Sequence, residues 1–371
     1  MNVSEAHDLC RKQHPPRGAA SLTPCTSPLT PVLVVLAAFV VCRDAAAADP
    51  PDKASKPNVA TPTLGGMQFW TDELLFRDWR IQRNVLTGNY RLLDEGDVRR
   101  AWGSFAVCRA KLDEIRLDDL KRDVTKRDRS LEPMRGKVVI LLHGLGRTRS
   151  STRHLAKFLS EQSDFTVLQF GYASTRADVA EHAKSLARVI ENLGPVEEID
   201  FVAHSLGNLV VRHYLGDEIE RTEGHRADPR IKRIVMLAPP NNGAKLAQLL
   251  GDNKLFKSIA GPPGSELGRH WTELERHLAI PTCEFGIIAG GRGEEHGHNP
   301  LLQADDDLIV TVSETKLPGA QDFLVLPAFH TFIMDEPKVQ EATLRFLLHG
   351  YFESETDRHP LARDEASRDI P

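Results

Sequence analysis

A serine between a strand-like and a helix-like segment is the first residue whose setting indicates chemistry. Ser205 lies in the segment AHSLG (203–207), after the apolar run at 199–202 and before a helix-like stretch at 208–215. A sharp strand-to-helix turn exposes a serine hydroxyl, and small residues two places before and after it allow the backbone to turn tightly. The pattern alone arises by chance on the order of once per five to ten chains of this size. Its setting is therefore what identifies Ser205 as a candidate nucleophile.

A glycine-rich loop earlier in the chain is the candidate partner of this serine. The segment HGLGR (143–147) follows another apolar run, at 138–142. Acyl transfer requires two backbone N–H donors aimed at the developing oxyanion, one after the nucleophile and one from such a loop. We therefore expect the N–H groups of Leu206 and Leu145 to form the oxyanion hole. A simple strand-ending turn would explain the glycines, but it would not explain their coincidence with the serine segment.

A histidine near the end of the chain is the candidate general base. The apolar run at 323–326 predicts the last strand, and His330 follows it in the segment PAFHT (327–331). A base in this loop can reach a serine hydroxyl at the same edge of the sheet. We assign His143 to the oxyanion loop. We expect His204 to direct its side chain away from the serine, because neighbours on a turn diverge.

Three consecutive carboxylates precede this histidine and follow the apolar run at 285–288. A triad acid orients the imidazole of the base and stabilises its charged form. The residues alone leave Asp305, Asp306 and Asp307 as candidates for that acid.

The same carboxylates, with His296 and His298 nearby, also raise the question of a metal site. Calcium takes six to eight oxygen ligands, and three adjacent carboxylates rarely all converge on one ion. We therefore favour a solvated loop over a metal site. The expected chemistry requires no metal and no cofactor.

Together these segments resemble the α/β-hydrolase superfamily and, within it, the secreted bacterial lipases and esterases. The resemblance extends over about residues 136–350 and rests on HGLGR, on AHSLG and on the chain order serine, acid, histidine. The stretch LIVTV (308–312) after Asp307 resembles the Asp-Gly-x-Val-x-Val segment that holds the acid in such lipases. The resemblance thus implies Asp307 as the acid, with Asp306 as the alternative.

Three positions depart from the family pattern. Ala203 stands where glycine is usual, although some lipases of this type also have alanine there. Asn241, in the segment LAPPNNGA (237–244), stands where histidine is frequent, and no glycine follows Asp307. Residues 67–135 have no counterpart in the family pattern.

The fold class follows from apolar runs that alternate with helix-like stretches after residue 136. Buried parallel strands form such unbroken runs because helices cover both faces of the sheet. The runs lie at 138–142, 165–168, 199–202, 234–237, 285–288 and 323–326. We predict an α/β domain over 136–352 with a mostly parallel, doubly wound sheet and helices on both faces; the resemblance makes it an α/β-hydrolase fold.

A short cap is expected at about 241–280, within this domain. Its apolar residues are spaced to line one face of a short helix or helix pair. They are Leu246, Leu249, Leu250, Phe256 and Ile259. Two interpretations stay open: packing against the sheet, or a small lid whose apolar face meets an acyl chain.

The N-terminus has the pattern of a targeting segment. Basic residues between 11 and 17 precede the apolar run VLVVLAAFVVC (32–42), which is followed by alanines at 45–48. This run is too short to span a bilayer as a helix, which needs roughly 20 residues. We predict a signal peptide at 1–48 that is cleaved near Asp49, with export to the periplasm or the medium; a retained membrane anchor is the alternative.

Three further regions flank the predicted hydrolase domain. Residues 49–66 lack periodicity and predict a disordered leader, and residues 353–371 form a polar tail. Residues 67–135 form an N-terminal extension with a hairpin around Thr87-Gly88 and one helix. The helix is predicted from apolar residues at steps of three or four, namely Val98, Trp102, Phe105, Cys108, Leu112 and Ile115.

Composition and charge exclude several classes of protein. Hydrophobic residues make up 41% of the 371 residues and charged residues 27%, which is typical of soluble globular proteins. The net charge is −5 and is spread along the chain, so no basic surface is expected to bind nucleic acid.

The cysteines indicate neither a zinc site nor a redox motif. Of the five cysteines, only Cys108 and Cys283 follow the predicted cleavage site, and no CxxC pair occurs. Export permits a disulfide between them. Two unpaired thiols are the favoured interpretation.

The sequence therefore predicts a serine hydrolase that cleaves carboxylic esters through an acyl-enzyme. The expected partner is a small-molecule or lipid ester, with transient contact with a membrane surface. An acyltransferase or amidase would use the same machinery, and a non-catalytic envelope scaffold is the alternative outside enzymes.

Overall fold

The computed structural model describes residues 68–363, except 123, 124, 126, 127 and 223–227. The predicted signal peptide and leader lie outside the described residues, as does the end of the predicted polar tail. Within the described part, no helix is long and apolar enough to span a bilayer.

The described chain begins with an antiparallel sheet of four strands. In chain order and in space, the strands are β1 (Trp70–Phe76), β2 (Trp79–Asn84), β3 (Tyr90–Leu93) and β4 (Arg99–Gly103). The hairpin predicted around Thr87-Gly88 is confirmed as the β2–β3 pair. Gly88 has a φ of 72°, a backbone conformation that glycine adopts without steric cost.

The predicted helix of this extension is present, but its predicted start was wrong. Helix α1 is Phe105–Leu120, and the side chain of Ser104 accepts a hydrogen bond from the N–H of Val107 at its first turn. Trp102 lies in β4, where its ring packs edge-on against Trp70. Val98 precedes that strand. The spacing of four between Val98 and Trp102 is an even number, so it also fits one face of a strand.

Six parallel strands form the central sheet. In chain order they are β5 (Lys137–Leu142), β6 (Thr166–Phe170), β7 (Glu198–His204), β8 (Ile231–Leu237), β9 (Glu284–Gly290) and β10 (Asp322–Leu326). In space their order is β10-β9-β8-β7-β5-β6. The chain moves from β5 to one edge, returns to β7 and continues to the other edge. This is the predicted doubly wound α/β arrangement.

Helices cover both faces of the sheet, as predicted. The longer ones are α2 (Arg153–Gln162), α3 (Val179–Glu191), α4 (Leu206–Arg221) and the last helix, Pro337–His349. Along β5, Val138 and Ile140 pack into one apolar cluster, whereas Val139 and Leu141 pack into a second cluster. Successive strand residues point to opposite faces, so the unbroken apolar run supplies both cores.

The cap segment between β8 and β9 contains three short helices. They are α5 (Lys245–Leu250), α6 (Lys254–Leu267) and α7 (Trp271–Glu275); α6 is broken at Gly261, where φ is 64°. A four-residue helix, α8 (Val312–Thr315), precedes β10, and Pro337–His349 is α9. Cys108 and Cys283 are both free thiols.

Candidate active site

Ser205 occupies the turn between β7 and α4. Its φ is 52° and its ψ is −121°, a conformation that costs energy for a residue with a side chain. Two hydrogen bonds hold the turn: the N–H of Ser205 donates to the carbonyl of Leu237 at 2.9 Å, and the Asn208 amide donates to the carbonyl of Ser205 at 3.0 Å. The surrounding structure therefore maintains the strained serine.

Two glycines allow the serine turn and the HGLGR loop to lie against each other. A Cβ atom on Gly207 would lie 2.8 Å from the Cβ of Leu142, and one on Gly144 would lie 3.0 Å from the Cβ of Ser205. Real side chains do not approach this closely. The glycines of both segments thus permit the same close contact. It is the contact between the HGLGR loop and the serine turn, the two segments that sequence analysis assigned to acyl transfer.

The structure brings Ser205, His330 and Asp307 into one hydrogen-bonded relay. His330 Nε2 lies 2.9 Å from Ser205 Oγ, and His330 Nδ1 lies 2.7 Å from a carboxylate oxygen of Asp307. All three residues are buried. The other carboxylate oxygen of Asp307 accepts the N–H groups of Ile309 and Val310 at 3.0 and 2.8 Å. Because a carboxylate only accepts, the proton of His330 is held on Nδ1, and Nε2 is free to accept from the serine.

The neighbouring carboxylates have other partners. Asp306 is buried and accepts the N–H groups of Asn299 and Leu308, at 3.0 and 2.7 Å. Burial raises its pKa above the ordinary value. Asp305 accepts the backbone N–H groups of 292–293. The three consecutive aspartates therefore face three different sets of atoms, and Asp307 is the one that contacts His330.

The two histidines upstream of these aspartates do not join them in a cluster. The ring of His298 packs against Phe329, with ring centroids 4.6 Å apart. In the part of the chain that the structure describes, no group of three or more histidine, cysteine, aspartate or glutamate side chains is arranged to hold a metal.

The two residues predicted to supply the oxyanion donors, Leu206 and Leu145, both lie near Ser205. Leu206 is the first residue of α4, where the helix provides no acceptor for an N–H group. Leu145 lines the same cavity as Ser205. The loop after Leu145 is held by a hydrogen bond from the N–H of Gly146 to Ser174 Oγ, at 3.1 Å.

His143 is a structural residue of this loop, and Tyr172 holds it. The two rings are stacked with centroids 4.2 Å apart, the N–H of Tyr172 donates to His143 Nε2, and the Tyr172 hydroxyl donates to the His143 carbonyl. His143 Nδ1 donates to the carbonyl of Gly144 at 3.0 Å. Burial lowers the pKa of His143 to about 4, so the ring is neutral and can accept at Nε2.

The N-terminal sheet holds the segment that carries Tyr172. Asp72 of β1 accepts the N–H of Gly171 at 2.7 Å, and its own N–H donates to the Gly171 carbonyl at 2.8 Å. Thr71 accepts the N–H of Ala173 at 3.1 Å. The extension therefore contacts the HGLGR loop through one intermediate residue, Tyr172, a connection that no sequence signal indicated.

His204 is a site residue whose contact with His330 sequence analysis did not predict. Its ring lies in the cavity lining, 4.9 Å from the ring of His330, and its Nε2 donates to the His330 carbonyl at 2.9 Å. Burial, the neighbouring His330 and the charge of Arg147 lower the pKa of His204 well below its usual value. A neutral His204 thus positions the backbone of the candidate base.

The cavity beside Ser205 is lined mainly by apolar side chains. Leu246 and Phe256 of the cap line it, together with Ile309 and Val310 from the loop that carries Asp307. Both cap residues are also buried, so they pack against the domain and face the cavity. The two interpretations of the cap are therefore compatible.

The other cap residues that sequence analysis selected do not line this cavity in the described structure. Leu250 is buried within the apolar core, whereas Leu249 is 56% exposed. The side chain of Ile259 lies outside the described residues.

A known family matches less than half of the chain. Residues 108–260 match a family described as a domain of unknown function, DUF7379. This range contains Ser205 but neither Asp307 nor His330. A search of curated proteins finds no match to this chain.

Solved structures with a similar fold include lipolytic proteins. The product of gene lin2722 from Listeria innocua is 21% identical with a TM-score of 0.41, over 62% of this chain and 99% of that chain. Phospholipase PlaB from Legionella pneumophila is 19% identical, with a TM-score of 0.38 over 48% of this chain and 45% of that chain. The mature lipase BlEst2 from Bacillus licheniformis is 16% identical, with a TM-score of 0.39 over 57% of this chain and 89% of that chain. These are likenesses of fold.

The contact between Tyr172 and the HGLGR loop yields a testable prediction. Tyr172→Phe leaves the buried carbonyl of His143 without its hydroxyl donor, so we expect a loss of about 1–3 kcal/mol in the free energy of unfolding. We also expect slower labelling of Ser205 by a fluorophosphonate, because the loop that carries Leu145 loses its support. Urea unfolding and labelling rates measure the two effects.

Tyr214→Phe is the matched control for this variant. Tyr214 is also buried, and its hydroxyl makes no hydrogen bond to the residues that the structure describes. Equal labelling rates for Tyr172→Phe and the parent protein would show that Tyr172 does not position the loop.

Proposed function

We propose that this chain is a serine hydrolase that cleaves carboxylic esters through an acyl-enzyme. The relay of Ser205, His330 and Asp307, at the edge of an apolar cavity, carries this proposal. A nucleophile within hydrogen-bond reach of a base, which is in turn oriented by an acid, is the arrangement that activates a serine hydroxyl. The apolar lining suits the acyl part of an ester.

In the first half of the reaction, Ser205 Oγ attacks the ester carbonyl while its proton passes to His330 Nε2. The carbonyl oxygen gains negative charge, which the N–H groups of Leu145 and Leu206 stabilise. The bond to the alcohol oxygen then breaks, and His330 returns the proton to that oxygen. The products of this half are the free alcohol and an acyl group on Ser205.

In the second half, water takes the place of the alcohol. His330 accepts a proton from the water, whose oxygen attacks the acyl carbonyl, and the proton then returns to Ser205 as the acid leaves. Asp307 stays ionised throughout and stabilises the imidazolium that forms twice in each turnover. His204 holds the backbone of His330 in place during both proton transfers.

Contact with a lipid surface is part of the proposal. Phe329 and Phe332 flank the base in sequence and are 45% and 51% exposed. Large apolar side chains that stay exposed, next in sequence to the cavity-lining residues His330 and Thr331, are suited to an interface with lipid.

Export is the further part of the proposal, and it rests on the sequence of residues 1–48. We expect the protein recovered from the periplasm or the medium to begin near Asp49. Intact-mass measurement of that material checks the cleavage site. A mass that includes the apolar run at 32–42 would favour a membrane anchor.

Replacement of the nucleophile tests the proposed function directly. Ser205→Ala is expected to remove fluorophosphonate labelling and to lower kcat on 4-nitrophenyl esters by roughly six orders of magnitude. The fold should remain, because alanine meets the same positive φ as serine. Ser163→Ala, which removes a hydroxyl at the end of α2, is the control.

Two outcomes would favour other functions. A parent protein that neither labels nor cleaves esters would support a scaffold instead, and acyl transfer to an added alcohol in place of hydrolysis would support an acyltransferase.

The acid is tested by comparing two adjacent aspartates. Asp307→Asn is expected to lower kcat by about four orders of magnitude, since the histidine tautomer is no longer held by a carboxylate. Asp306→Asn keeps one acceptor oxygen but places an N–H donor beside the backbone N–H of Asn299, so it should lower the free energy of unfolding with a much smaller loss of kcat. Steady-state kinetics and urea unfolding separate the two effects. A larger loss of kcat in Asp306→Asn would transfer the acid role to Asp306.

A further inference from the structure

Arg147 gives the apolar cavity one fixed positive charge. It follows Leu145 by two residues and lines the cavity together with Ser205 and His330. Among the cavity-lining residues that the structure describes, no other lysine or arginine and no aspartate or glutamate occurs. An ester that enters this cavity therefore meets apolar side chains and a single guanidinium.

No other group of the described structure neutralises this guanidinium. Its Nε is buried without a hydrogen-bond acceptor, and Arg147 makes no ion pair or ring contact with the residues described. The other arginines whose Nε is buried without an acceptor are not isolated in this way. Each has a carboxylate or an aromatic ring beside its guanidinium. These pairs are Arg80 with Asp97, Arg116 with Asp113, Arg149 with Asp78, Arg176 with Phe69 and Arg358 with Tyr351.

A half-buried guanidinium without a partner indicates a missing acceptor. Arginine carries five N–H donors in a planar fork and no acceptor, and this fork matches the two oxygens of a carboxylate or a phosphate. Buried donors in native proteins are almost always paired, so an unpaired guanidinium on a residue that lines the cavity calls for a ligand. The charge of Arg147 also reaches the site, since it contributes, after burial and His330, to the lowered pKa of His204.

We propose that Arg147 binds an anionic group of the substrate, a carboxylate or a phosphate carried by the ester that Ser205 cleaves. This inference rests on the proposed function and narrows its substrates to esters that carry an anionic group. Leu246 and Phe256 contact the acyl chain, and Arg147 selects the charged group. A neutral ester of the same size leaves the guanidinium without an acceptor and therefore reacts more slowly.

Two matched pairs of substrates test this selection. The soluble pair is the 4-nitrophenyl monoester of glutaric acid and 4-nitrophenyl valerate, which have the same number of acyl carbons. The lipid pair is a 1-acylglycerol 3-phosphate and the monoacylglycerol with the same acyl chain. The measured quantity is the ratio of kcat/KM for the anionic ester to that for the neutral ester. A preference in the first pair indicates a soluble ester, and one in the second pair indicates a lipid headgroup.

Three variants assign the preference to Arg147. Arg147→Gln is expected to lower the anionic-to-neutral ratio at least tenfold, about 1.4 kcal/mol, in the preferred pair. Arg147→Lys keeps the charge but not the fork, so it should retain part of the ratio. Arg153→Gln removes the same charge from an exposed position at the start of α2 and should leave the ratio unchanged.

Protection from labelling gives a readout that does not depend on turnover. Octyl phosphate is expected to slow fluorophosphonate labelling of Ser205 more strongly than octanol does in the parent protein. In Arg147→Gln this difference should disappear. Thermal unfolding of each variant establishes that it is folded.

The outcomes separate this inference from the proposed function. Equal ratios in the parent and in Arg147→Gln for both substrate pairs, with ester cleavage and labelling intact, would overturn the role of Arg147 and leave the serine hydrolase standing. Absence of labelling and of ester cleavage in the parent would overturn the proposed function itself.

Discussion

The pairing of β5 with β7 is the constraint on which the candidate site depends. In this register, Leu142 at the end of β5 lies opposite Ala203 near the end of β7. The loops that follow the two strands therefore leave the sheet side by side, although they are about 60 residues apart in sequence. Gly144 and Gly207 permit the contact between them, because a Cβ atom at either position would collide with the other segment. A shift of register would separate the candidate oxyanion donors from the serine.

Further hydrogen bonds hold the remainder of the site, and one of them comes from His204, the last residue of β7. Asp307 receives the backbone N–H groups of Ile309 and Val310, which fix its carboxylate, and His204 holds the carbonyl of His330. On the other side, β1 holds the segment that carries Tyr172, and Tyr172 holds His143. Hydrogen bonds in surroundings of low polarity are stronger than in water, so these contacts restrict the movement of the site residues. The strained serine turn is thus supported from both ends of the sheet.

Few charged side chains lie around the cavity. Burial keeps His143 and His204 neutral, since both have pKa values well below the ordinary range. Among the described residues that line the cavity, the guanidinium of Arg147 is then the one fixed charge, and the carboxylate of Asp307 is bonded to His330. In surroundings of low polarity, each such charge acts strongly on a bound substrate. The balance of one paired anion and one unpaired cation is what distinguishes this cavity from a purely apolar acyl site.

The sequence by itself determined the elements and the residue types of the site. Unbroken apolar runs identify the strands of the central sheet, because both sheet faces are buried, and the position of Ser205 and His330 at strand ends follows from local pattern. Local pattern also misplaced the start of α1, since a spacing of four fits a helix and a strand alike. It missed β1 and β4.

Tertiary structure alone decided which groups meet. The choice among Asp305, Asp306 and Asp307 depends on which carboxylate reaches His330, and adjacent residues on a loop point in different directions that no periodicity encodes. His330 and Ser205 are 125 residues apart, and Asp72 and Gly171 are 99 apart. The direction of the His204 ring, the support from Tyr172 and the unpaired guanidinium of Arg147 arise from such long-range contacts. Sequence periodicity records which face a residue occupies, but not which distant residue lies opposite it.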